Sequence, residues 1–282
     1  MHLGEELQTA YEWGVTLPLL GSYGKQVAKY ERLLEENPDN PKAWICRGYS
    51  LEKVGQYEAA LASFERAISL NAHVGLAWQG RGIALGKLSR YEDALTSFNQ
   101  ALKCLPTDYR VWQNHGKTLM SLQRYTEAIV SLDHVIQLNA SSYKAWYNRA
   151  IACSSLQQHD VALVSIEQAL KIQPNSYYIW NYRGMILNHL GRCGEALVSF
   201  DNSLKIAIKN PSAWYGRACA YALEGKVELA LENLKRALKL SPYICRLMAS
   251  TDPNFDLIRH DDRYRWLIHQ VKSAQLPRCD QN

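Results

Sequence analysis

Small and large apolar residues recur along this chain at one fixed interval. Tryptophans stand at Trp44, Trp78, Trp112, Trp146, Trp180 and Trp214, each 34 residues from the next, so six of the eight tryptophans share a register. Counted from three residues before each tryptophan, position 8 is small, at Gly48, Gly82, Gly116, Ala150, Gly184 and Ala218. Position 20 is alanine, at Ala60, Ala94, Ala128, Ala162, Ala196 and Ala230, and position 24 is large, at Phe64, Phe98, Leu132, Ile166, Phe200 and Leu234. Small residues opposite large ones are what close packing of two helices demands. The interval predicts a helix A, a turn and a helix B per unit, stable only when stacked, because one short pair has too little core.

Local signals agree with that reading. Asn40-Pro41 and Asn210-Pro211 place a capping Asn before a proline at the first helical position, and Gly55-Gln56-Tyr57 and Gly191-Arg192-Cys193 supply turns between A and B. Six repeats cover 41–244. One interval earlier, Leu7 to Asn40 keeps Gly14, Leu17, Gly21, Tyr23, Tyr30 and Pro38, but has Ala10 in the tryptophan slot and Pro18 where helix A should kink. Residues 1–40 therefore read as a degenerate N-terminal repeat serving as a cap. After Tyr243 the interval fails. Asp252-Pro253 and Asp261-Asp262 read as two helix starts, giving a C-terminal cap over 245–272, with Phe255, Leu257, Trp266 and Leu267 expected to cover the last repeat. Residues 273–282 read as a flexible tail.

The joint pattern of Trp at 4, a small residue at 8, Tyr at 17, Ala at 20, Phe at 24 and Pro at 32 (Pro106, Pro174, Pro242) resembles the tetratricopeptide repeat (TPR) family over most of the chain. The Asp252-Pro253-Asn254-Phe255 stretch resembles the closing segment of bacterial arrays. The resemblance implies an all-α TPR solenoid, a right-handed superhelix of antiparallel helix pairs whose concave groove is lined by A helices, and a bacterial source.

Composition changes this picture little. The chain has 282 residues, 47% of them apolar, and a net charge of +5, which does not by itself imply nucleic acid. Seven and three acidic and basic residues give 1–40 a charge of −4, leaving +9 for the rest, spread thinly over the repeats. Seven scattered cysteines without CxxC or His/Cys metal spacing read as reduced thiols and point to a cytoplasmic chain. No basic-then-apolar leader opens the sequence, and no apolar run approaches the ~18 residues a membrane span needs.

No GxSxG, HExxH, P-loop or strand-borne GxGxxG occurs, so neither an enzyme nor a cofactor is expected. His73, His115, His134, His159 and His189 fall at different repeat positions. Arg47, Arg81, Arg149, Arg183 and Arg217, with His115 in the same slot, form a ladder at position 7 that reads as structural, stems over apolar surface and heads wet. The tryptophans read as buried core, each worth up to roughly 4–6 kcal/mol.

Positions 2, 5, 6, 9, 12 and 13 of helix A are those the resemblance directs into the groove. In repeats one to four they include Lys42, Lys53, Lys87, Arg110, Lys117 and Lys144 against the single acid Glu52; Asn114 and Asn148 stand at position 6. In repeats five and six they hold Tyr178, Tyr182, Asn188, His189 and Tyr215 among other uncharged residues. A basic half followed by an aromatic half suits an acidic segment with aromatic or apolar anchors. Asn114, Asn148 and Lys144 partly match the clamp by which some TPR domains hold a C-terminal carboxylate, but Ile45, Gln79 and Gln113 replace its lysine. The expected function is a scaffold, adaptor or assembly factor that binds another protein. The alternatives are an RNA-binding helical repeat, which the thin charge disfavours, and a regulatory or substrate-selecting segment of a larger enzyme, against which Met1 and the closing cap argue.

Overall fold

A computed structural model describes residues 23–269. The described residues fall into two compact units divided between Ala140 and Ser141; residues 1–22, with Pro18 and most of the degenerate repeat's helix A, and 270–282, with the end of the expected cap and the expected tail, lie outside the described residues. The described part of the first unit holds α1 (Tyr23–Glu36), α2 (Pro41–Lys53), α3 (Tyr57–Leu70), α4 (Gly75–Lys87), α5 (Tyr91–Cys104), α6 (Tyr109–Ser121) and α7 (Tyr125–Leu138). The second holds α8 (Tyr143–Ser155), α9 (His159–Ile172), α10 (Tyr177–His189), α11 (Cys193–Ile206), α12 (Pro211–Leu223), α13 (Val227–Leu240), α14 (Pro242–Thr251), a 3₁₀ helix (Pro253–Ile258) and α15 (Asp262–His269). No strand occurs among the described residues. Within each unit successive helices pair as A and B of one repeat, and B packs on the A that follows. The fold is an all-α TPR solenoid.

The turn from A to B is the same in all six repeats. Position 15 takes a left-handed backbone, with φ between 59° and 82°, at Gly55, Ser89, Gln123, Gln157, Gly191 and Gly225. The next amide then reaches back five residues over 2.9 Å, as Gln56 N–H donates to Leu51 C=O and Arg192 N–H to Leu187 C=O, satisfying a carbonyl the helix end leaves orphaned. Four of the six helix A starts are capped by side chains: Asn40 accepts from Lys42 and Ala43, Asp108 from Arg110, Ser142 from Ala145 and Asn210 from Ser212.

Position 24 is the centre of the packing. Phe64 is fully buried between Gly48 of its own repeat and Gly80 of the next, and Phe200 lies likewise between Gly184 and Gly216. A Cβ at Gly80 or Gly216 would fall 2.3 Å from the phenyl ring, so the second helix can approach only because that carbon is missing.

The tryptophans differ from the expectation of full burial. Only Trp214 is buried; the other five are half-buried. Each of five indole N–H groups donates to the carbonyl six residues earlier: Trp44 to Pro38, Trp78 to Ala72, Trp112 to Pro106, Trp180 to Pro174 and Trp214 to Ile208, all at 2.8–2.9 Å. The acceptor is always position 32, so the ring's apolar body packs while its polar edge fastens the link between repeats.

The position-7 ladder is structural. Arg47 joins Ser63 of its own B helix (2.7 Å) to Glu31 of the preceding B helix (2.8 Å), and Arg81 does the same with Ser97 and Glu65. Arg183 uses Ser199 and Glu167. In the third repeat the serine stays while the arginine and the carboxylate change together: His115 bonds Ser131 at 2.9 Å and Asn99 at 3.1 Å. Burial holds this imidazole at a pKa of about 4, and the neutral ring faces an amide where its counterparts face a carboxylate.

The C-terminal cap departs from expectation in two ways. Helix α14 begins at Pro242, inside the last repeat rather than at 245, whereas Asp252 starts a helix as expected, here a 3₁₀ helix. Phe255 is fully buried as expected, but Leu257 and Trp266 are exposed; Ile258, Tyr264 and Ile268 fill the contact instead. Tyr264 donates its hydroxyl to Ala249 C=O at 2.6 Å.

Candidate functional site

The two units carry different sets of A-helix side chains. In the first, Lys42, Lys53, Lys87, Arg110 and Lys117 are exposed and Asn114 is half-buried. Lys53 and Lys87 occupy position 13 on α2 and α4, which pack together. Local acids reduce the basic excess: Lys53 Nζ lies 2.9 Å from Glu52, and Arg110 grips Asp108 through Nε and a terminal nitrogen 2.7 Å away. Asp108 is itself buried at the start of α6. It sits one residue before the repeat frame begins, outside the positions that resemblance directs inward, so sequence reasoning missed it. Among the described residues Lys87 and Lys117 have no ion-pair partner, so these two helix-A cations are available to an outside anion.

The second unit gathers aromatic rings. Tyr147, at position 5 of α8, packs edge-on against Tyr178 (centroids 5.1 Å) and Tyr182 (5.6 Å) of α10, and Tyr178 meets Tyr177 at 5.8 Å. Burial, followed by the neighbouring phenols of Tyr182, Tyr178 and Tyr177, pushes the Tyr147 hydroxyl up to about 12, so it stays a neutral donor and acceptor at physiological pH. Tyr178 is likewise raised, first by burial and then by its bond with Tyr143. Lys144 is exposed beside this cluster in the chain, and Asn148 is half-buried on the same helix. Tyr147 gives no signal by position, because position 5 holds Ile45, Gln79 and Gln113 in the earlier repeats; its ring partners at positions 2 and 6 of the next repeat supply the missing signal.

Two residues expected at the surface are in the packing. Asn188 is buried, and its amide donates to Gly216 C=O at 2.9 Å. Tyr215 is buried against Phe255, 5.6 Å between centroids, and donates to Asp252. The 3₁₀ segment thus covers this part of α12. His189 is exposed and stacks on His159, rings 4.7 Å apart and 4° from parallel; burial first and His189 second lower the His159 pKa. Parallel rings turn their nitrogens sideways rather than toward a common point, and among the described residues no three His, Cys, Asp or Glu side chains converge. Among the described residues no helix is long and apolar enough to cross a membrane.

These features can be set against known proteins. Models of the tetratricopeptide repeat match 45–109, 109–142 and 211–244, and a model of the protein prenyltransferase alpha subunit repeat matches 160–190. No curated protein matches the sequence. Among solved structures, the C-terminal part of a TPR repeat-containing protein from Cytophaga hutchinsonii aligns with a TM-score of 0.65 at 16% identity, covering 84% of this chain and 95% of that one. PilF of Pseudomonas aeruginosa aligns with a TM-score of 0.61 at 17% identity, over 72% and 92%. A MamA fragment from Desulfovibrio magneticus aligns with a TM-score of 0.58 at 19% identity, over 60% and 96%. At these identities the likeness is one of fold. The 34-residue helix pairs, the left-handed residue in every A–B turn and the three repeat models together show that the chain carries a tetratricopeptide repeat array.

Proposed function

We propose that the protein is a non-enzymatic scaffold that binds another protein through its A helices, engaging an acidic segment that carries aromatic or apolar anchors. The observation that supports this most is the tyrosine cluster of α8 and α10. Its half-buried rings offer rigid contact area whose side-chain entropy is already spent, the character of an interface anchor. Lys144, beside the cluster in the chain, and in the first unit Lys87 and Lys117, supply charge that steers an acidic partner. Lys42, Lys53, Arg110, Asn114, Asn148 and His189 complete the candidate set, while Asn188 and Tyr215, buried in the packing, take no part.

An array of immobilised peptides, acidic with and without Tyr, Phe or Leu, tests the reading. Peptides combining acid and anchor should bind, and binding should weaken about tenfold or more with Lys87→Glu/Lys117→Glu or with Tyr147→Ala, at unchanged helicity. Equal binding by the variants sinks the proposal.

A further inference from the structure

The end of a stacked array normally turns a polar face to water, and α14 does the opposite. This ten-residue helix sets Cys245 and Ala249 against α13. The opposite stripe consists of Tyr243 (77% exposed), Ile244 (59%), Leu247 (62%) and Met248 (44%). Spacings of one, four and five residues put these four side chains on one helical face. Ser250 and Thr251 extend that face, and no charged residue interrupts it.

We infer that this face of α14 binds the same face of a second copy of the chain, two-fold and antiparallel. Three features favour that occupant. First, the stripe is uncharged, so a self-pairing juxtaposes no like charges, the usual obstacle to an isologous contact. Second, it is self-complementary in size. With the two-fold between Ile244 and Leu247, Ile244 lies over Leu247 of the other copy and the Tyr243 ring over the flexible Met248, a pairing of aromatic and thioether that packs well. Third, the stripe exposes roughly 500 Å² per copy, so a pair buries at most about 1,000 Å², the lower bound for a specific interface, which makes the dimer a weak one.

Sedimentation of the full chain over two decades of concentration tests this. The expected result is a reversible monomer–dimer equilibrium that Leu247→Asp shifts to monomer by at least a hundredfold, with Ile244→Lys doing the same. Both residues are exposed, so helicity and urea midpoint should stay at the parent values. A monomer at every concentration, or a dimer that both variants leave intact, overturns the inference. Should Leu247→Asp lower the urea midpoint, Ile244→Lys decides the outcome alone.

Discussion

The Tyr215 hydroxyl donates to Oδ2 of Asp252 over 2.7 Å, joining residues 37 apart, three more than the repeat interval. The same carboxylate accepts the Asn254 amide through Oδ1 and starts the 3₁₀ helix, so one side chain both caps the segment and moors it to α12. Tyr215→Phe should cost about 1–2 kcal/mol, since it leaves a half-buried carboxylate short of a partner. Asp252→Ala should cost more, and the double variant less than the sum. Hydrogen exchange in α14 and α15 reads the loss where it occurs.

Gly80→Ala should destabilise the first unit by about 2–3 kcal/mol, because its Cβ would meet the Phe64 ring at 2.3 Å and the ring is enclosed on its other side by Gly48. Adding Phe64→Leu should recover much of that loss, although Phe64→Leu alone destabilises. A urea-unfolding double-mutant cycle checks the change of sign.

Three repeats carry strain that the other three avoid. Ser89, Gln123 and Gln157 occupy the left-handed backbone that Gly55, Gly191 and Gly225 adopt freely. Ser89→Gly, Gln123→Gly and Gln157→Gly should each stabilise by about 0.5–1 kcal/mol, and Gly55→Ala should cost about 1 kcal/mol. Urea midpoints of the single variants and of the triple variant test additivity.

His115 makes the first unit sensitive to acid. Its folded pKa of about 4 lies below the ordinary 6.5, so the unfolded chain binds the proton more tightly. Stability is then fully present above pH ~6.5 and falls as pH drops toward 4, by about 2 kcal/mol once its partial exposure is allowed for. His115→Gln should flatten that part of the profile. Unfolding midpoints between pH 7 and pH 4 compare the two.

Most of the framework is legible in the sequence because its positions repeat. Trp44 and its successors set the interval, Ala60 and its successors mark close helix contact, and the ladder at Arg47 stands in register. What the period cannot carry is what happens once. Asp252 answers Tyr215 from outside the frame, so a tyrosine at a surface position turns inward. Asp108 precedes the frame and neutralises Arg110. The tryptophans mislead for another reason: their apolar area argues for the core, while the one polar atom of each ring decides where its edge sits.

The indole-to-carbonyl bond spans six residues, and the position-7 ladder reaches only the adjoining helix B, so within a compact unit each such joint is specified by one repeat and its neighbour. Removing or duplicating 34 residues between repeats that carry the Arg–Glu pair restores the same donors and acceptors on either side of the cut, whereas a cut that parts His115 from Asn99 does not. An array built this way can change its length, and with it the reach of the surface it displays, wherever the joint is of the common kind.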